Sequence, residues 1–135
     1  MKLLIDANVL LDVLQNRAGF VEDSSLVWKL CETGQAEGIV SALTFANLVY
    51  VMRKELGPEK IEEVCKLLSL IFHFADFSVS DMNRAAEMKW KDFEDAIQSA
   101  TAERVSAAYL ITRNVKDFSK SKVPALTPAE FLARL

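Results

Sequence analysis

The chain has 135 residues, 51% hydrophobic and 26% charged, with a formal net charge of −3. That length and balance argue for one folded domain over residues 1–135, with a core that needs no staples, and exclude a disordered chain. The charge excludes a strongly basic protein that coats nucleic acid, but not a nuclease, because a bound cation supplies positive charge locally.

Leu3-Leu4-Ile5 is a short apolar run suited to a strand buried on both faces. A helix follows from about Asn8, and a second runs from about Phe20 to Cys31, stopping before Gly34. Gly38 to Ser41 reads as the second strand. Thr44 is the expected N-cap of a helix through Leu56, ended by Gly57-Pro58. Pro58 opens another helix, with Ile61, Val64, Cys65, Leu68, Ile71 and Phe72 at helical spacing. Phe74 to Val79 holds a third strand, and Ser80 caps a short helix. Asp92 caps the next helix, with Phe93, Ala96, Ile97 and Ala100 on one face. Tyr109 to Thr112 is a fourth strand and Val123 to Leu126 a short fifth. Thr127-Pro128-Ala129-Glu130 is a capping box with proline at the first helical position. Alternating strands and helices imply an α/β fold, with a parallel sheet and right-handed crossovers. Strand one belongs in the middle of that sheet, with Ile5, Val40 and Ile111 buried.

The two cysteines, Cys31 and Cys65, lack metal-ligand spacing and read as buried thiols in a reducing compartment. No signal peptide and no membrane span is legible. The expectation is a cytoplasmic protein.

Ligands of open parallel sheets bind beyond the carboxyl ends of the strands. Asp6 follows strand one directly, Asn47 lies one turn into the helix after strand two, and Asp117 lies in the segment after strand four. The helix that opens at Asp92 returns toward strand four, which puts Asp95 on the same rim. Carboxylates that converge without a cationic neighbour repel each other, and such a site ordinarily holds a hard divalent ion. Each residue also fits a local role. Asp6 and Asp92 suit helix caps, Asp95 the third position after a cap, and Asp117 an ordinary turn. Only the combination points to a site. The single histidine, His73, and the absence of a phosphate-cradling glycine loop leave metal-activated water as the chemistry. Arg113, Lys116, Lys120 and Lys122 crowd one window and suit phosphate contacts, or else a solvated basic face. No aromatic is clearly placed to stack on bases.

These residues in this order resemble the PIN domain, the ribonuclease fold of VapC-type toxins in toxin–antitoxin pairs. The likeness runs from Leu4-Ile5-Asp6-Ala7-Asn8, through Asp95-Ala96-Ile97-Gln98, to Thr112-Arg113-Asn114-Val115-Lys116-Asp117-Phe118. It implies a three-layer α/β/α fold with a central parallel sheet of about five strands. It also implies Mg²⁺ or Mn²⁺ on a rim of acidic residues and endonucleolytic cleavage of RNA, with an antitoxin partner and a homodimer as expected assemblies. On the motifs, Asp6, Asp95 and Asp117 take the acidic, metal-holding and catalytic positions. Asn8, Thr112 and Asn114 take the supporting polar ones. Many members carry Glu in the second motif where this chain has Asn47, and Asp92 or Glu94 stand near enough in sequence to Asp95 to make up that charge. A receiver-like or aspartyl phosphatase reading fails, since no lysine follows strand five and position 8 is Asn. The second reading left open is a catalytically weak PIN-like domain that binds RNA or a protein. A surplus of apolar residues, Leu48 to Met52 and Leu67 to Ile71, gives an added physical reason to expect a dimer.

Overall fold

A computed structural model describes all residues, 1–135. The strands are β1 (Lys2–Ile5), β2 (Glu37–Ser41), β3 (His73–Ala75), β4 (Tyr109–Ile111) and β5 (Ala125–Leu126). They form one sheet in the order β3-β2-β1-β4-β5, every pairing parallel. Strand one is therefore central. Leu4 pairs with Ile39 on one side and Leu110 on the other.

The helices are α1 (Ala7–Leu14), α2 (Val21–Glu32), α3 (Ala42–Val51), α4 (Pro58–Ile71), α5 (Val79–Met88), α6 (Phe93–Arg104) and α7 (Pro128–Leu132). A 3₁₀ turn covers Val115–Phe118. Side chains alternate across the pleat, so β1 feeds two cores. Leu3 and Ile5 join Val9, Val27, Leu48, Leu68 and Phe131 on one face. Leu4 joins Ile39, Ala102, Leu110 and Phe118 on the other. Ile5, Val40 and Ile111 are buried, as a parallel sheet covered on both faces requires. Gly38 in β2 has a steric cause: a Cβ there would sit 2.6 Å from the Phe72 ring and 2.7 Å from the Cys31 sulfur. Cys31 is buried and Cys65 half-buried, and both are free thiols.

Several boundaries differ from the sequence reading. Ser41, not Thr44, is the N-cap of α3. Its hydroxyl accepts the Thr44 N–H at 3.0 Å, and Thr44 is buried one turn inside. The same helix stops at Val51 rather than Leu56, where the Arg53 guanidinium donates to the Tyr50 carbonyl at 2.8 Å. Ser78 rather than Ser80 caps α5, accepting from Asp81 N–H. The third strand is His73–Ala75, shorter and earlier than Phe74 to Val79. The Asp92 cap of α6 and the Thr127–Glu130 capping box of α7 are as expected.

Helix α6 carries much of the site, and α5 anchors it. Arg104 on α6 grips Asp81 on α5 through Nε at 2.9 and 3.1 Å, and Nη2 also takes the Asp76 carbonyl at 2.7 Å. Burial alone would raise the Asp81 pKa, but the Arg104 bonds hold its carboxyl below the ordinary value.

Candidate metal centre at the carboxyl edge of the sheet

Asp6 is the first residue past β1 and caps α1, its extended backbone turning the chain into the helix. Its Oδ1 accepts the Ala7 N–H at 2.9 Å and its Oδ2 accepts the Thr112 hydroxyl at 2.8 Å. Asn8 Nδ2 lies 3.5 Å from the same Oδ2, and Asn8 Oδ1 accepts the Arg113 N–H at 3.3 Å. Thr112 Oγ1 in turn accepts the Asn114 N–H at 3.1 Å. The segments after β1 and β4 are thus laced together, and Asp6 is held in one orientation. Capping and site-building are one geometry here, because a cap points its carboxylate at the same rim where strands end.

Asp95 enters from α6, its N–H bonded to Asp92 Oδ1 at 3.1 Å. Asp117 sits exposed in the 3₁₀ turn. The carboxyls feel each other. Burial raises the Asp6 pKa, Thr112, Ala7 and Gln98 pull it down, and Asp117 pushes it up. Burial also raises Asp95, and the charges of Asp92, Asp6, Asp117 and Glu94 add to it, so its pKa reaches about 7. None of the three has a Lys or Arg partner, since every ion pair in the molecule lies elsewhere.

No three acidic, histidine or cysteine side chains are close enough to form a ready-made cage. The acidic residues that the sequence brings to this edge line an open rim rather than a closed cage. An open, all-oxygen donor set still fits Mg²⁺ or Mn²⁺, because Mg²⁺ takes one or two carboxylates and keeps several waters.

Asn47 is half-buried, and its Nδ2 donates to Glu94 Oε2 at 3.2 Å. The amide of the second motif therefore holds a carboxylate brought by α6. Gln98 was not legible as a site residue. It is 5% exposed, accepts the Ser41 hydroxyl at 2.9 Å on Oε1, and lies against Asp6. Gln98 closes the Asp95-Ala96-Ile97-Gln98 segment, but the sequence assigns it no role, and only the fold reveals its neighbours.

Beside the rim lies a cleft of about 1020 Å³, bordered by Asp95, Asp117, Trp90, Phe93 and the lysines Lys89, Lys91 and Lys120. Of the basic residues singled out in the sequence, only Lys120 borders it; Lys116 is exposed outside it. Arg113 is engaged within the protein. Its Nε is 3.5 Å from the buried Asp12, and its guanidinium lies 4.1 Å over the Phe20 ring. Phosphate contact by Arg113 would require breaking both. Phe93, expected on the apolar face of its helix, is instead exposed and borders the cleft.

The burial of Asp95, with the repulsion around it, has a measurable cost. Asp95 titrates near 7 when folded but near its ordinary 3.8 when unfolded, so the unfolded chain loses that proton first as pH rises. The penalty is absent below about pH 4 and complete above about pH 7. Discounted for the partial exposure of Asp95, it is on the order of 1 kcal/mol. Asp95→Asn removes it. The metal-free variant is expected to melt a few degrees above the parent at about pH 8 and level with it near pH 4, by thermal denaturation in EDTA. A variant that melts lower at pH 8 would show that Asp95 is an ordinary capping-turn residue.

A model of the family described as PIN domain matches residues 2–116. Among solved structures, the chain is similar to a toxin–antitoxin complex from Klebsiella pneumoniae, 25% identical over 93% of this chain and 96% of that one, with a TM-score of 0.71. It is similar to FitAcB from Neisseria gonorrhoeae at 21% identity, 94% and 98% coverage and a TM-score of 0.71. It also resembles the sarcin-ricin-loop-cleaving toxin VapC20 of Mycobacterium tuberculosis at 10% identity, 80% and 86% coverage and a TM-score of 0.64. No curated protein matches the chain. With the family model covering most of the sequence, and a five-stranded parallel sheet presenting acidic residues at its carboxyl edge, this chain belongs to the PIN domain family.

Proposed function

We propose that this chain is a Mg²⁺- or Mn²⁺-dependent endoribonuclease, the toxin of a toxin–antitoxin pair, formed as a single domain over residues 1–135. The observation that carries the reading is the set of three carboxylates, Asp6, Asp95 and Asp117, from three separate segments, with no cation paired to any and with Asp95 raised to about 7 by burial and its acidic neighbours. Strong perturbation by like charges in a cleft marks a functional site more often than a structural one. The membership in the PIN domain family supports a nuclease, and the likeness to a toxin–antitoxin complex supports an antitoxin partner.

Asp6, Asp95 and Asp117 would hold the ion. When bound, it supplies charge to stabilise the phosphoryl oxygens and makes a water acidic enough to attack at neutral pH. The chain's own residues do the rest. Thr112, Asn8 and the Ala7 N–H fix the Asp6 carboxylate. Glu94, held by Asn47, returns a negative charge to the second motif, which favours an active enzyme over a weak scaffold. Lys120, with Lys89 and Lys91, provides cationic footing for the phosphates on either side of the scissile one. Phe93 offers an apolar face to an unstacked base, which suits single-stranded or looped RNA. Incubating the protein with a panel of structured RNAs, with Mn²⁺ or with EDTA, tests this. Cleavage in loops with Mn²⁺ alone is expected. Absence of Mn²⁺ binding and of any cleavage would leave the scaffold reading in its place.

The reading includes a homodimer. Leu48, Met52 and Leu68 are buried in the protomer, but Tyr50, Val51, Leu67 and Leu70 stand exposed on α3 and α4, Leu70 by 86%. Light scattering at micromolar concentration is expected to give twice the 15.1 kDa protomer mass. A monomer there would mean that these helices await an antitoxin instead. No helix of the structure is long and apolar enough to cross a membrane. The two unpaired cysteines accord with a cytoplasmic protein.

A further inference from the structure

Gln98 is out of place by ordinary packing rules. It lies on the inner face of α6 between Ile97 and Ser99, 5% exposed, and its buried Nε2 makes no hydrogen bond of good geometry, although it lies near enough to the Asp6 carboxylate to lower that group's pKa. An orphaned buried amide donor is costly and rare, and one in a folded protein calls for an explanation. The other end of the same amide is fully engaged. Oε1 accepts the Ser41 hydroxyl at 2.9 Å, and Ser41 is itself pinned by the Thr44 N–H and hydroxyl, each at 3.0 Å.

The Ser41 hydroxyl on one side and the Asp6 carboxylate on the other fix which way the amide points. Ser41 sits at the end of β2 and Asp6 at the end of β1, and Gln98 spans from one to the other. Reversing the amide would turn Oε1 toward the Asp6 carboxylate and set two acceptors together. As it stands, Nε2 faces the acidic rim. The neighbouring neutral donors, the Ala7 N–H, the Thr112 hydroxyl and the Asn47 amide, are already bonded to rim carboxylates, whereas Gln98 Nε2 is left to favour an added oxygen ligand without adding charge. Asp6 Oδ1 and Oδ2 already hold Ala7 and Thr112, so Asp6 does not depend on Gln98 for its own satisfaction.

We propose that Gln98 is a positioning residue of the metal centre: oriented by Ser41, its Nε2 donates to an oxygen in the coordination sphere of the ion held by Asp6, either the Asp6 carboxylate drawn onto the ion or a water bound to it. The inference rests on the metal reading of the site. Partners outside the ligand shell that orient ligands in this way ordinarily account for 10- to 100-fold in metal affinity. Gln98 touches no reacting atom in this assignment. It sets the occupancy and geometry of the ion rather than the chemical step.

The test is Mn²⁺ titration by isothermal calorimetry, without RNA, on the full-length protein. Gln98→Met keeps length and volume and removes the donor. It is expected to weaken Mn²⁺ binding by at least tenfold, while its melting temperature in EDTA equals or exceeds the parent's, because an orphaned donor has been removed from the interior. Ser41→Ala leaves Gln98 in place but frees Oε1, and is expected to weaken Mn²⁺ binding in the same direction by a smaller factor. Should Gln98→Met fail to fold, Ser41→Ala decides alone. Unchanged Mn²⁺ affinity in folded Gln98→Met, or in Ser41→Ala where that variant stands alone, overturns the proposal while leaving the metal reading intact. A parent that binds no Mn²⁺ overturns both, and is told apart by that control.

Discussion

Asp6→Asn is expected to lose at least 100-fold of Mn²⁺-dependent RNA cleavage while keeping its fold. The substitution is nearly isosteric. An asparagine at this N-cap still accepts the Ala7 N–H, and caps of the two types are close in strength, so stability should change by less than about 1 kcal/mol. What disappears is charge. Asp6 is the rim carboxylate held by both the segment after β1 and the segment after β4. Losing it weakens ion binding and the stabilisation of charge in the transition state together. Initial rates over a Mn²⁺ series separate the two effects. A variant that cleaves as fast as the parent would assign the activity to another site or to a contaminant.

Asp12→Ala is expected to cost about 3 kcal/mol and to lower the melting temperature by about 10 °C. Asp12 is wholly buried on α1, with Ser24 Oγ donating to Oδ2 at 2.9 Å and Arg113 Nε 3.5 Å from Oδ1. Arg17 stands 4.0 Å from that same oxygen. Removing the carboxylate strands the Arg113 Nε, which is buried and has no hydrogen bond of its own. Cutting one partner from such a pair costs far more than the pair itself contributes. Because Arg113 follows Thr112, which donates to Asp6, the loss should also loosen the metal rim. Urea denaturation measures the first effect and Mn²⁺ titration the second. A loss under 1 kcal/mol would show that Asp12 and Arg113 merely lie near each other.

The parts of the fold that the sequence revealed are those with local causes. Leu3-Leu4-Ile5 is apolar without alternation because β1 is buried on both faces, and the Thr127 capping box is complete within four residues. The Asp6, Asp95 and Asp117 rim followed from element order alone, since every strand runs parallel and ends on the same edge. What failed had competing local signals or distant partners. Ser41 and Thr44 are both good caps three residues apart, and pairing of Ser41 with Gln98 is visible only in the fold. Arg113 looked like a phosphate contact because its window is basic. Its partner, Asp12, lies on the first helix, and no pattern near Arg113 announces it. The same limit hid the Asn47–Glu94 bond, which joins α3 to the start of α6. Phe93 fits the apolar face of its helix by spacing, yet it stands 46% exposed, since the first turn of α6 borders the open cleft.

Asp6, Asp95 and Asp117 are expected to share one divalent ion. Crystals grown or soaked with Mn²⁺ and measured at its absorption edge locate that ion. An anomalous peak within bonding distance, about 2.0–2.3 Å, of carboxylate oxygens from Asp6 and at least one of Asp95 and Asp117 is the expected result, with the peak lost in Asp6→Asn. No peak at millimolar Mn²⁺, or one held by other residues and unaffected by Asp6→Asn, would contradict the account.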